Sequence, residues 1–199
     1  MRSERRYINP SGGTKLESSF LSCEKDSESI IRKLFVDSKP YNEEIKRLLL
    51  INTKDCIDDR TNQKYIDKIN SYSIAKLVEE GYIRFSPKLK FEENSEVKNY
   101  ILITFDNFTT NGGNEYYRDC IIEIDIICHT DYWDIGNFRQ RPIKIMGYID
   151  GILNQCRLSG LGTLEFMGAN ELVLNEELSG YCLMYKAVHG DDDSIEAEE

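Results

Sequence analysis

The chain has 199 residues and a mass of 23.1 kDa; 40% of it is hydrophobic, 30% is charged, and the net charge is −10 at neutral pH. That length suits one compact domain with attached tails, and the acidity excludes wholesale wrapping of nucleic acid, which needs a dense basic face. No run approaches the roughly 18 consecutive apolar residues of a transmembrane helix, and the six cysteines are scattered with no CxxC pair, so they read as reduced thiols in a protein made in the cytoplasm.

Residues 1–24 lack sustained periodicity and contain Pro10, Gly12 and Gly13, the signature of an extended N-terminal arm. The start is basic, with Arg5 and Arg6, but no apolar segment follows to make a secretory signal. A single domain is expected over 25–190. Its first helix is predicted from Ser27 as N-cap to Pro40, with Ile30, Ile31, Leu34 and Phe35 on the buried face. A second runs from Asn42 to about Leu50, with Glu43 and Glu44 in the first turn, where the helix dipole favours acids. The stripe of Tyr65, Ile66, Ile69, Tyr72, Ile74 and Leu77 predicts one helix over 61–80, closed by Gly81.

Strands are predicted next, at Tyr82–Phe91, with Pro87 marking an edge or bulge, and at Asn99–Phe108. The turn sequence Asn111-Gly112-Gly113-Asn114 leads into the clearest strand, Tyr116–His129. Its even positions (Ile122, Ile124, Ile126, Cys128) make a dry face, whereas Glu123 and Asp125 wet the middle of the other. Past a loop at 130–138, a helix is predicted from Arg141 to about Cys156, with Pro142 where its missing N–H costs little. Short strands at Thr163–Met167 and Tyr181–His189 follow, and residues 191–199 read as an acidic disordered tail. The expected fold class is α+β: N-terminal helices, then a mostly antiparallel sheet with a long C-terminal helix packed on it.

Chemistry-bearing motifs are scarce. There is no G-x-G-x-x-G and no G-x-x-x-x-G-K-[ST]. Cys128-His129-x-Asp131 invites a metal or nucleophile reading, but neighbouring strand residues point to opposite faces and cannot converge on one atom. Glu123 and Asp125 share a strand face, and exposure to solvent, or pairing with Arg84, Lys88 or Lys90 on another strand or subunit, is expected of them sooner than acid–base catalysis. A non-enzymatic chain without cofactor or metal is the expectation. The loop Asp131-Tyr132-Trp133-Asp134-Ile135-Gly136-Asn137-Phe138 carries the only tryptophan, and loop aromatics give contact area at low entropic cost. Tyr132, Trp133, Asp134, Phe138, Arg139 and Arg141, with Arg5 and Arg6 of the arm, are therefore the candidate intersubunit or partner contacts.

The run CIIEIDIICHTDYWDIGNFRQRPIKIMGYIDGILNQCRLSGLGTLEF, ending in ELVLNEELSGYCLMYKAVHG, resembles tail-terminator and head–tail joining ring proteins of tailed bacteriophages. CHTDYWD and NELVLNEELSGY look especially like the version in crAss-like phages. The resemblance implies a tail-terminator-like virion subunit in a homo-oligomeric ring of six or twelve copies. It would sit in the neck or tail beside the portal and adjacent neck and tail proteins, and pass DNA through its lumen without sequence-specific binding or a membrane partner. A non-enzymatic binding module acting through the aromatic 130–138 loop is the alternative left open.

Overall fold

The computed structural model describes residue 20 and residues 23–86, 97–112 and 118–189. The expected basic arm, with Arg5 and Arg6, the acidic tail at 191–199, and Lys88 and Lys90 all lie outside the described residues.

Four helices come first: α1 (Cys23–Phe35), α2 (Tyr41–Leu50), α3 (Gln63–Ser71) and α4 (Ile74–Glu79). Helix α1 begins one turn earlier than predicted, because Ser27 spends its hydroxyl inside the helix, donating to the Cys23 carbonyl at 3.0 Å. The single helix expected over 61–80 is two. Ser73 adopts extended backbone and its side chain accepts from the Lys76 N–H, so a new N-cap interrupts an apolar stripe that runs unbroken in sequence. Gly81 does close α4, at φ +77°, and the Tyr82 N–H reaches back to the Leu77 carbonyl at 2.8 Å, the six-to-one bond of a Schellman turn.

Among the described residues the sheet has five strands: β1 (Ile83–Arg84), β2 (Tyr100–Thr110), β3 (Arg118–His129), β6 (Glu165–Val173) and β7 (Leu178–His189). Its spatial order is β1-β2-β3-β7-β6. Helix α5 (Arg141–Leu153) lies between β3 and β6 in sequence, and the two-residue strands β4 (Arg157–Leu158) and β5 (Gly162–Thr163) pair as a separate ribbon.

The expected architecture needs correcting on two counts. The sheet is mixed, since β1 runs parallel to β2 with Ile83 opposite Ile101. The C-terminal region is also built of strands, not of a long helix: α5 stops at Leu153, and among the described residues all regular structure after it is β. Asn154 turns extended and Gln155 takes φ +60°, which ends the helical ladder. The segment 168–179 is the rest of β6 and a tight turn into β7, in which the Asn175 side chain accepts from the Glu177 and Leu178 N–H groups.

One face of the sheet is dry. Cys120, Ile122, Ile124, Ile126 and Cys128 of β3, with Leu183, Tyr185 and Ala187 of β7, pack beneath the helices in one continuous core. Helix α5 lays Ile145, Ile149 and Leu153, all fully buried, into that core and also touches α1 and α2. Each such side chain contributes about 1.5–3 kcal/mol by leaving water. Close approach of β3 and β7 depends on Gly180, where a Cβ would stand 1.7 Å from the Ile126 carbonyl oxygen.

Candidate functional site

The loop after β3 is built outward from the core. His129 ends the strand and caps a short 3-10 turn, Thr130–Tyr132, its Nδ1 accepting from the Asp131 N–H at 3.2 Å. Cys128 beside it is fully buried, so the two side chains part company as an extended strand requires. The Thr130 N–H donates to the Glu177 carbonyl at 2.8 Å, fixing the loop against the β6–β7 turn. Asp134 bridges to Gln140, and Ile135, fully buried, pins the loop to the core.

Trp133 is half-buried against the core, its ring centroid 6.3 Å from that of Tyr181. Tyr132 is half-buried and tilts on His129 at 6.1 Å. Gly136, Asn137 and Phe138 then follow with φ of +75°, +49° and +61°, three left-handed residues in a row. Glycine accepts that backbone freely, whereas a phenylalanine is held there at a cost of order 1–3 kcal/mol. Phe138 buries none of its ring in return: its relative exposure is 108%.

The two arginines behave differently. Arg139 Nη2 donates to Asp58 Oδ2 at 2.6 Å and Nε to the Gly136 carbonyl at 3.2 Å, tying the turn to the segment between α2 and α3. The Asp58 carboxylate pushes the Arg139 guanidinium further up from its ordinary value. Arg141, expected on a contact surface, is fully buried. Its guanidinium donates to four backbone carbonyls: Tyr132 at 2.8 Å, Ile51 at 2.9 Å, Thr53 at 3.0 Å, and Leu48. Leu48 and Ile51 belong to the C-terminal end of α2, where orphan carbonyls and the negative pole of the helix dipole attract a cation. Arg141 is thus an internal clamp between α2 and the loop.

Glu123 and Asp125 lie on the solvent-side face of β3, opposite Thr104 and Met184, and Leu102 and Cys182, respectively. Within the subunit Arg84 does not pair with either of them; its Nε donates to the Gly81 carbonyl. Burial raises both carboxyl pKa values, with Asp106 and Asp125 adding to the effect on Glu123.

Two further features escape a reading of the chain. One is the sheet edge: β6 is exposed along almost its whole length, with Phe166, Met167 and Val173 at 43%, 54% and 69%. Among the described residues no strand lies outside β6, and none pairs with the outer side of β2 beyond Leu102. The other is a cluster of the half-buried Cys23 with the buried Asp26 and His189, brought together from the two ends of the domain. No local spacing announces it, because the first two residues lie more than 160 positions from the third.

No curated protein matches the sequence. Among solved structures, a chain described as "Virion of native gene transfer agent (GTA) particle" is similar, with a TM-score of 0.38 and 11% identity over 63% of this chain and 91% of that one. The family model YomW matches residues 42–187, from α2 to the closing strand and well over half of the sequence, and the chain belongs to the YomW family.

Proposed function

We propose that the chain is a structural virion protein that carries no reaction of its own and assembles with copies of itself into a ring in the neck or tail of a tailed phage. The observation that carries this reading is the pair of open edges on one sheet. Among the described residues, the nine-residue strand β6 offers an outer edge with three exposed apolar side chains, and β2 offers a second edge without a partner strand from Ile103 to Thr110. Long bare edges are a liability in a protein that stays alone, and natural monomers cover, charge or shorten them. Joining β6 of one copy to β2 of the next is a head-to-tail contact, and a head-to-tail contact closes into a ring when its rotation divides a full turn. The resemblance carried by residues 120–190 supplies the setting, with the portal and other neck or tail proteins as neighbours and DNA passing through the lumen. A net charge of −10 suits a lumen that DNA slides past without adhering.

The experiment is a mass measurement in solution combined with negative-stain imaging. Ring-shaped particles of six or twelve copies support the proposal, and a monomer at every concentration, with or without virion partners, refutes it.

A second reading has its own observation. Phe138, fully exposed on left-handed backbone, is a ring presented at the tip of a rigid loop, which suits insertion into a pocket of another protein. In that reading the loop, with Tyr132, Trp133 and Asp134 around it, recruits a different virion protein while the sheet edges stay unused. Phe138→Ala then abolishes partner binding and leaves the mass of the subunit's own assemblies unchanged.

A further inference from the structure

We propose that Cys23, Asp26 and His189 form a binding site for a thiophilic divalent metal of the zinc class, joining the start of α1 to the end of β7. The three side chains offer one ligand atom each, and these atoms lie within 4.8 Å of one another. His189 Nδ1 faces Asp26 Oδ2 at 2.5 Å, with the imidazole 0% and the carboxylate 1% exposed. In the tautomer with hydrogen on Nδ1, which donates to Asp26, the lone pair of Nε2 points the other way. That lone pair faces Cys23 Sγ, 3.8 Å off.

A carboxylate that holds the far nitrogen of a histidine while the near one meets a thiol is the outer-shell arrangement of zinc sites. The separation also fits. With zinc about 2.3 Å from sulfur and about 2.05 Å from nitrogen, a 3.8 Å gap gives an angle of roughly 120° at the metal, within reach of a tetrahedral site.

The same trio resembles a nucleophile, a base and an orienting acid, but turnover needs a substrate to approach the imidazole. His189 and Asp26 are sealed, and the rings of Phe20 and Phe108 stand 6.4 and 5.8 Å from that of His189. With the imidazole sealed and Cys23 half-buried, one soft and one borderline ligand are suited to holding an ion. None of the three residues falls within the family match at 42–187, so the site is a feature of this chain's own ends. Binding would take the proton from the Cys23 thiol, form a sulfur–metal and a nitrogen–metal bond, and tie α1 to the last strand.

The test is titration of the reduced, full-length protein with cobalt(II) and zinc. One cobalt ion per chain is expected, with a sulfur-to-cobalt charge-transfer band that zinc displaces, and a zinc-dependent rise in melting temperature. Cys23→Ser, a near-isosteric change at a half-buried position, is expected to remove both the band and the rise, whereas Cys156→Ser keeps them. Asp26→Asn is expected to keep the stoichiometry and lose 10–100-fold in affinity, the usual effect of losing an outer-shell partner. Absence of a stoichiometric ion, or a band that persists in Cys23→Ser, overturns the proposal. If His189→Ala fails to fold, the Cys23→Ser comparison still decides.

Discussion

Two residues hold this fold together in ways that single substitutions expose. Arg141 serves four backbone carbonyls from a fully buried position, and its removal leaves those acceptors dry and unpaired. Arg141→Ala should therefore cost about 3–5 kcal/mol in chemical denaturation, comparable to breaking a buried charge network. Arg141→Lys should recover only part of it, because one ammonium cannot reach both α2 and the Tyr132 carbonyl in the same fork geometry. A loss below about 1 kcal/mol for the alanine variant would contradict the clamp. Gly180 is the second case. A methyl group there meets the Ile126 carbonyl at 1.7 Å in the middle of the sheet, so Gly180→Ala should force β3 from β7 and destabilise by more than about 3 kcal/mol. Gly147→Ala, in a helix where a Cβ meets nothing within 4 Å, is the matched control and should be neutral or slightly stabilising.

At the scale of the element, β3 explains both what the sequence reveals and what it hides. Its alternation of Ile122, Ile124 and Ile126 against Glu123 and Asp125 is the simplest pattern in the chain, because one face packs on helices and the other meets water. Helix α5 is nearly as clear, with Pro142 at its start and isoleucines at helical spacing. The break between α3 and α4 is not legible, since Ser73 caps only if the chain has already chosen to turn there. Strand β6 carries no pattern at all: exposed on both sides along most of its length, it has no core face to impose period two on its residues. The parallel pairing of β1 and the burial of Arg141 depend on partners far along the chain, and so does the meeting of Cys23 and Asp26 with His189. The loop's apolar residues were legible as a group, but their division into a buried Ile135, a half-buried Trp133 and an exposed Phe138 was not, and the left-handed backbone at 136–138 that turns Phe138 outward is not revealed by local spacing.

The wet face of β3 also sets a pH dependence. Burial holds Glu123 and Asp125 protonated to higher pH in the folded chain than in the unfolded one. The folded state then binds more protons, so their contribution to stability is full below the ordinary carboxylate range and is lost as pH rises through the raised values. Asp125→Asn should remove its share of that loss, giving a variant whose advantage over the wild type grows from about pH 4 towards neutrality. Urea midpoints measured across that range check it, and a wild-type-to-variant difference that does not change with pH would contradict the assignment.

At the scale of the whole molecule, the helices cover one face of the sheet while, among the described residues, its two edges carry no partner strand, and the proposed ring uses that asymmetry. Loss of contact area at an edge should affect assembly far more than folding. Met167→Glu places a charge on the exposed side of β6, where the isolated subunit has little to lose, so its own stability should stay within about 0.5 kcal/mol of the wild type. Phe138→Ala separates the edges from the loop, since it should leave self-assembly intact if the loop serves another partner. The most direct measurement is the mass of the purified subunit over a concentration series, wild type beside Met167→Glu. A discrete closed oligomer of six or twelve copies is expected for the wild type and a folded monomer for the variant. A wild type that stays monomeric throughout, or a variant that assembles equally well, would contradict it.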